Sequence, residues 1–114
     1  LNELTDFMFH HCYNLKNVEI PDTITEIPYG AFYGCTKLAS VKLPANLKKI
    51  DATAFISCVN LTEIKIPPTV KEIGRSAFKN CRRLETVNMT SSEDMVIHKS
   101  AFKDTPYAKT KDTK

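Results

Sequence analysis

The chain repeats itself. The segment MFHHCYNLKNVEIPDTITEI at Met8 to Ile27 returns as AFYGCTKLASVKLPANLKKI at Ala31 to Ile50, then as AFISCVNLTEIKIPPTVKEI at Ala54 to Ile73, with equivalent positions 23 residues apart. A fourth copy, AFKNCRRLETVNMTSSEDMVI from Ala77 to Ile97, carries one extra residue before Ala101-Phe102, so the step lengthens to 24 there. A unit this short cannot bury its own apolar face, and the stable solution is to stack units along one shared core. The columns kept apolar show what that core contains. Phe9, Phe32, Phe55, Phe78 and Phe102 form one; Cys12, Cys35, Cys58 and Cys81 another; Leu15, Leu38, Leu61 and Leu84 a third. Val18, Val41, Ile64 and Val87 continue the pattern, with Ile20, Leu43, Ile66 and Met89, then Leu4, Ile27, Ile50, Ile73 and Ile97.

Within each unit, L-x-x-V-x-I alternates inward and outward at period two, which predicts short strands at Asn17 to Ile20, Ser40 to Leu43, Glu63 to Ile66 and Thr86 to Met89. Coiling in one sense stacks them in parallel. Pro21, Pro44 and Pro67 follow at once and, lacking an N–H for the ladder, end each strand. Thr53, Ser76 and Ser100 precede the Ala-Phe step in one column, with Gly30 in the same place, so their hydroxyls are expected to cap one short α or 3₁₀ turn per coil.

The pattern A-F-x-x-C-x-x-L-x-x-V-x-I-P-x-x-V-x-x-I resembles the BspA-type, or treponemal-type, leucine-rich repeat of bacterial and some protist surface proteins. The resemblance covers the chain from Leu1 to about Tyr107. Met8 replaces Ala in the first unit, Thr90 replaces Pro in the fourth, and Thr105 stands where a fifth Cys would fall, which suggests that AFKDTPYAK closes the array. It implies a repeat solenoid of the α/β, leucine-rich kind: a right-handed curved coil of about five 23-residue turns, with a narrow parallel sheet on its concave face. The solenoid spans 1–107, in units 1–7 (partial), 8–30, 31–53, 54–76, 77–100 and 101–107 (terminal), followed by a flexible basic tail at 108–114. The resemblance further implies a cell-surface or secreted setting, contact with host or other surface proteins, and no catalytic residues.

Composition bounds the alternatives. At 114 residues, 42% of them apolar, the chain has room for one domain with a continuous core. Sixteen basic against thirteen acidic residues leave a formal charge of +3 with no long like-charge block, which argues against nucleic acid. Apolar runs of a few residues exclude direct membrane insertion, and no signal peptide is visible. The chain opens at Leu1 without Met, as if cut from something longer, so missing targeting signals say nothing of location. Leu1 and Leu4 would then leave an open core edge, and end-to-end self-association is expected through it.

Four cysteines raise disulfides, metal and catalysis in turn. Neighbouring column members lie one strand spacing apart, roughly 4.8 Å, within bridging reach, yet stacked side chains point the same way and a free Cys behaves as a small buried hydrophobe. A buried thiol ladder of Cys35, Cys58 and Cys81 beneath the ring ladder of Phe32, Phe55 and Phe78 is the expectation. His10, His11 and Cys12 are ligand types for zinc or copper, but no second pair follows at finger spacing, so no metal and no cofactor is expected. No G-x-S-x-G, P-loop or paired catalytic carboxylate occurs, and His98 falls on a convex turn away from the buried thiols, so the chain is expected not to be an enzyme.

Two surfaces remain. The strand face presents Lys16, Asn17 and Glu19, then Ala39, Ser40 and Lys42, then Thr62, Glu63 and Lys65, then Glu85, Thr86 and Asn88. This is either a solvated sheet face or a broad polar site for a protein or a glycan. The connecting flank carries Tyr13, Tyr29, Tyr33, Ile56 and Val59 toward one end and Arg75, Lys79, Arg82 and Arg83 toward the other. Those arginines, with Lys109, Lys111 and Lys114, leave a binder of acidic polymers open beside an interaction or adhesion module and an architectural spacer.

Overall fold

A computed structural model describes residues 4–89 and 95–108. The chain winds as a parallel-strand solenoid. On its first face lie β1 (Asn17–Glu19), β3 (Ser40–Lys42), β5 (Glu63–Lys65) and β7 (Thr86–Asn88), while β2 (Glu26–Ile27), β4 (Lys49–Ile50), β6 (Glu72–Ile73) and β8 (Val96–Ile97) form a second. The register is the repeat itself: Val18 pairs with Val41, Ile64 with Val87, and Ile27, Ile50, Ile73 and Ile97 stand in one line. These paired strands span four coils and so about three complete turns, fewer than the five counted from the repeats. The stretches around Phe9 and Phe102 extend the core at either end without contributing strands.

The sequence columns become the core. Phe32, Phe55, Phe78, Cys35, Cys58 and Cys81 are all 1% exposed or less, and Ile24, Leu47 and Val70 add a further buried column. The phenylalanine rings stack in register: centroids are 5.2 Å apart for Phe32–Phe55, 5.1 Å for Phe55–Phe78 and 5.2 Å for Phe78–Phe102, with planes within 7° of parallel. That repeat follows the coil spacing of roughly 4.8 Å, so the coil translation itself stacks the rings.

The expected helical turn is absent, and the reason lies in where the amides go. Alternate N–H groups bond within the coil, Ala54 to Asp51 O, Ile56 to Thr53 O and Cys58 to Phe55 O. The ones between, on Thr53, Phe55 and Ser57, reach the next coil at Arg75 O (3.0 Å), Ala77 O (2.7 Å) and Lys79 O (2.8 Å). A helix needs consecutive amides to bond in one direction, so this alternation yields a chain of tight turns instead. The turn sequences of three successive coils each carry two left-handed residues, Gly30 and Gly34, Thr53 and Ser57, and Ser76 and Asn80, with φ between 58° and 71°. An N-cap residue requires extended φ, so Thr53 and Ser76 do not cap helices.

Among the described residues a hydroxyl caps a helical turn where the cysteine column ends. Thr105 Oγ1 accepts the Ala108 amide at 3.0 Å and donates to Phe102 O at 2.6 Å, opening a single helical turn at 106–108 with Pro106 in first place. Tyr107 sets its ring edge-on to Phe102, centroids 5.0 Å apart. Ala108, the first residue of the expected tail, is partly buried against the core; residues 109–114 lie outside the described residues, as do Thr90 and residues 1–3.

Candidate binding surfaces

The strand face gathers every residue expected there. Lys16, Asn17, Glu19, Ala39, Ser40, Lys42, Thr62, Glu63, Lys65, Glu85, Thr86 and Asn88 are all exposed. Parallel register places Asn17 beside Ser40, Glu19 beside Lys42, Glu63 beside Thr86 and Lys65 beside Asn88. Several of these neighbours bond to each other: Ser40 Oγ donates to Asn17 Oδ1 at 2.6 Å, Asn88 Nδ2 to Glu63 Oε2 at 3.2 Å, and Lys42 lies 3.8 Å from Glu19. Exposed pairs like Lys42–Glu19 contribute little stability, about 1 kcal/mol at most. The Lys65 ammonium has no ion-pair partner among the described residues.

The face is divided in the middle. β1 bonds to β3 and β5 to β7, but β3 and β5 are not hydrogen-bonded to each other, whereas the second sheet runs unbroken through β2, β4, β6 and β8. A groove of about 880 Å³ crosses the ends of β1, β3 and β5, lined by Ile20, Pro21, Val41, Leu43 and Pro67 together with Lys42 and Lys65. Sequence reasoning missed both the second sheet and the division. The Ile column was visible, but two-residue strands leave no alternation to detect.

The connecting flank is aromatic over the first two coils. The Phe7 ring packs on Tyr29 (centroids 5.2 Å) and the His11 ring on Tyr33 (5.5 Å). Both rings occupy space that only glycine leaves. A Cβ on Gly30 would collide with the Phe7 ring, and one on Gly34 would come 2.8 Å from His11 Nδ1. His10 turns its Nδ1 to the Phe7 carbonyl at 2.7 Å, and His11 Nδ1 meets the Tyr13 hydroxyl at 2.8 Å, so the His-His-Cys run does not converge. Among the described residues no group of three or more His, Cys, Asp or Glu comes together. His98 Nδ1 lies 2.8 Å from Ser100 Oγ, a contact the sequence did not suggest; the same hydroxyl accepts the Ser76 amide at 3.2 Å and so serves the turn ladder.

The thiols are held as hydrogen-bond donors in the core. Cys35, Cys58 and Cys81 donate to Phe9 O (3.0 Å), Phe32 O (3.3 Å) and Phe55 O (3.1 Å), each on the preceding coil. Burial pushes their ionisation up, to about 12 for Cys81 and higher still for Cys58, where the neighbouring Cys81 and Cys35 add to the effect. The ladder is less uniform than expected, because Cys12 is only partly buried. Native protein should therefore yield one fast equivalent with a thiol reagent and three more only on unfolding, since the reactive species is the accessible thiolate. Two or more fast thiols, or fewer than four after unfolding without reductant, would contradict this arrangement.

The sequence pattern of the BspA type leucine rich repeat region matches residues 2–111 in 6 copies. The chain belongs to the BspA-type leucine-rich repeat family. Among solved members of this repeat class, it is similar to a leucine-rich repeat protein of T. pallidum (37% identity, TM-score 0.71, 74% of this chain and 39% of that one). It is also similar to a leucine rich cell surface protein of Faecalibacterium prausnitzii A2-165 (37% identity, TM-score 0.76, 80% of this chain and 24% of that one). A third, a leucine-rich repeat protein of Bacteroides capillosus, shares 34% identity with TM-score 0.70, over 80% of this chain and 64% of its own. This BspA-type chain thus spans less than two thirds of each of these relatives. No curated protein matches it.

Proposed function

We propose that this BspA-type chain is a non-catalytic interaction or adhesion module of a cell-surface protein, engaging another protein through its strand face. The observation that carries the reading is the register of that face. Within each strand pair, β1–β3 and β5–β7, outward side chains repeat in parallel alignment and stand in water, so an extended partner meets equivalent positions on both coils of a pair. With no aromatic anchor in these rows, binding energy is spread over several coils. Surface placement rests on the F. prausnitzii relative, which is described as a cell surface protein. A non-catalytic role is supported by the thiols of Cys35, Cys58 and Cys81, which are buried and committed to carbonyls, and by His10 and His98, whose ring nitrogens are engaged in local turns. The partly buried Leu4, Phe9, Cys12, Leu15 and Val18 form a core edge on which a second copy could stack, which keeps end-to-end association within the same proposal.

The test is a panel of surface and matrix proteins titrated against the chain and its variants. Lys42→Glu, Glu63→Lys or Lys65→Glu alone should each change Kd by less than about tenfold, while the triple variant abolishes binding with circular dichroism unchanged. A partner bound equally well by the folded triple variant would overturn the strand-face assignment. The bonds across the face, Ser40 to Asn17 and Asn88 to Glu63, favour one other reading: a spacer whose polar rows satisfy each other. That reading predicts no partner in the panel.

A further inference from the structure

The connecting flank changes its chemistry along the stack. Its column at positions 29, 52, 75 and 99 reads Tyr29, Ala52, Arg75 and Lys99; the column four residues on reads Tyr33, Ile56, Lys79 and Lys103. The next two read Thr36, Val59 and Arg82, then Lys37, Asn60 and Arg83. Cations thus concentrate on the last two coils. Arg75, Arg82, Arg83, Lys99 and Lys103 are exposed and Lys79 is half-buried. The stacking is set by the backbone: Ile73 is in register with Ile97, two residues before Arg75 and Lys99, and the Asn80 amide bonds to Lys103 O at 3.0 Å. Arg75 over Lys99 and Lys79 over Lys103 therefore repeat like charges one coil apart, roughly 5 Å, an arrangement that repels itself unless an anion intervenes.

Nothing within the described residues supplies that anion. The two ion pairs are Lys42–Glu19 and Lys49–Glu72, and neither includes one of the six cations. Among the described residues, Asp104 is the carboxylate next to these cations, lining a groove of about 510 Å³ with Asn80, Arg82, Thr105 and Pro106. Small polar residues, Ser76, Asn80 and Ser100, separate the cations. Three of the six cations are lysines, a residue depleted from protein–protein interfaces. Single-stranded nucleic acid would need exposed rings to stack its bases; the exposed rings of this flank lie on the first coils, and Tyr107, beside the cations, is half-buried edge-on against Phe102. What the patch offers is a dense, hydrated array of cations.

We propose that the flank formed by Arg75, Lys79, Arg82, Arg83, Lys99 and Lys103 binds an anionic polysaccharide through its sulfate or carboxylate groups. The site is separate from the strand face and stands whether or not that face binds a protein. The experiment measures binding of heparin and of its desulfated form to the full chain over a salt series, with polyglutamate and a DNA oligonucleotide as competitors. Heparin should bind with an affinity that falls steeply with salt; loss on desulfation assigns the contacts to sulfate, and retention assigns them to carboxylate. Arg75→Glu/Lys79→Glu/Arg82→Glu should weaken binding by about tenfold or more. Lys16→Glu/Lys42→Glu/Lys65→Glu, an equal change of net charge on the strand face, should leave it nearly unchanged. If charge reversal disturbs the fold, the matching Gln triple should still lower both affinity and salt slope. No binding of either polysaccharide, equal losses in both Glu triples, or polyglutamate or DNA competing as well as heparin would each overturn the proposal.

Discussion

Phe55→Ala should cost about 3 to 5 kcal/mol of folding stability, the range for removing a fully buried ring. Phe55 is 0% exposed and stacks on both sides, against Phe32 at 5.2 Å and Phe78 at 5.1 Å, so its loss leaves a cavity walled by two rings that the coil spacing holds apart. Its position makes matters worse. In a stack where each coil touches only its neighbours, a break in the middle leaves two short pieces, neither with enough core to persist. Phe9→Ala should cost far less, about 1 to 2 kcal/mol, because Phe9 is partly buried and stacks on Phe32 alone. Phe102, 8% exposed between Phe78 and Tyr107, should fall between them. Denaturant melts of the three variants check this order. Equal losses for Phe9→Ala and Phe55→Ala would argue against a linear array.

The reason so much of this fold could be read in advance is that repetition converts sequence position directly into spatial position. Once Phe32, Phe55 and Phe78 are 23 residues apart in a stacked coil, their rings must meet, and the same logic aligns Asn17 with Ser40 and Glu63 with Thr86. What stayed hidden was whatever depends on backbone direction instead of on period. Thr53 and Ser76 look like helix caps because their hydroxyls suit that task, yet they stand at φ 58° in a ladder of turns. Gly30 and Gly34 in the same columns carried the hint, since glycine favours the left-handed region. They read as exceptions because the other coils place Thr, Ser and Asn there. The flank's division into aromatic and cationic halves was written in the columns, but the lack of ion pairs for its cations among the described residues is a matter of where Glu19 and Glu72 point, at Lys42 and Lys49. Likewise the gap between β3 and β5 has no counterpart in the repeat, since both coils carry the same strand pattern.

Stability should also drop sharply in alkali, through the thiols. An unfolded cysteine ionises near its ordinary value of 9.0, whereas the Cys81 thiol is pushed up to about 12 by burial and Cys58 is held higher still. The folded state therefore keeps protons that the unfolded state releases. Its advantage is complete below pH 9.0 and is lost as pH rises from there towards the folded values. Each such thiol removes about 1.4 kcal/mol per pH unit within that window, so Cys58 and Cys81 together remove about 5 kcal/mol by about pH 11. Cys35 acts in the same direction. Serine isolates the effect, because it does not titrate in this range and its hydroxyl is itself a hydrogen-bond donor. Cys58→Ser/Cys81→Ser should be less stable than the parent by about 1 to 3 kcal/mol at neutral pH, where it buries hydroxyls in place of sulfur. Guanidinium melts of the parent and the double variant at pH 7.5 and pH 11 should show this gap closing or reversing. A double variant that loses stability in alkali as steeply as the parent would mean that the buried thiols are not held protonated by the fold.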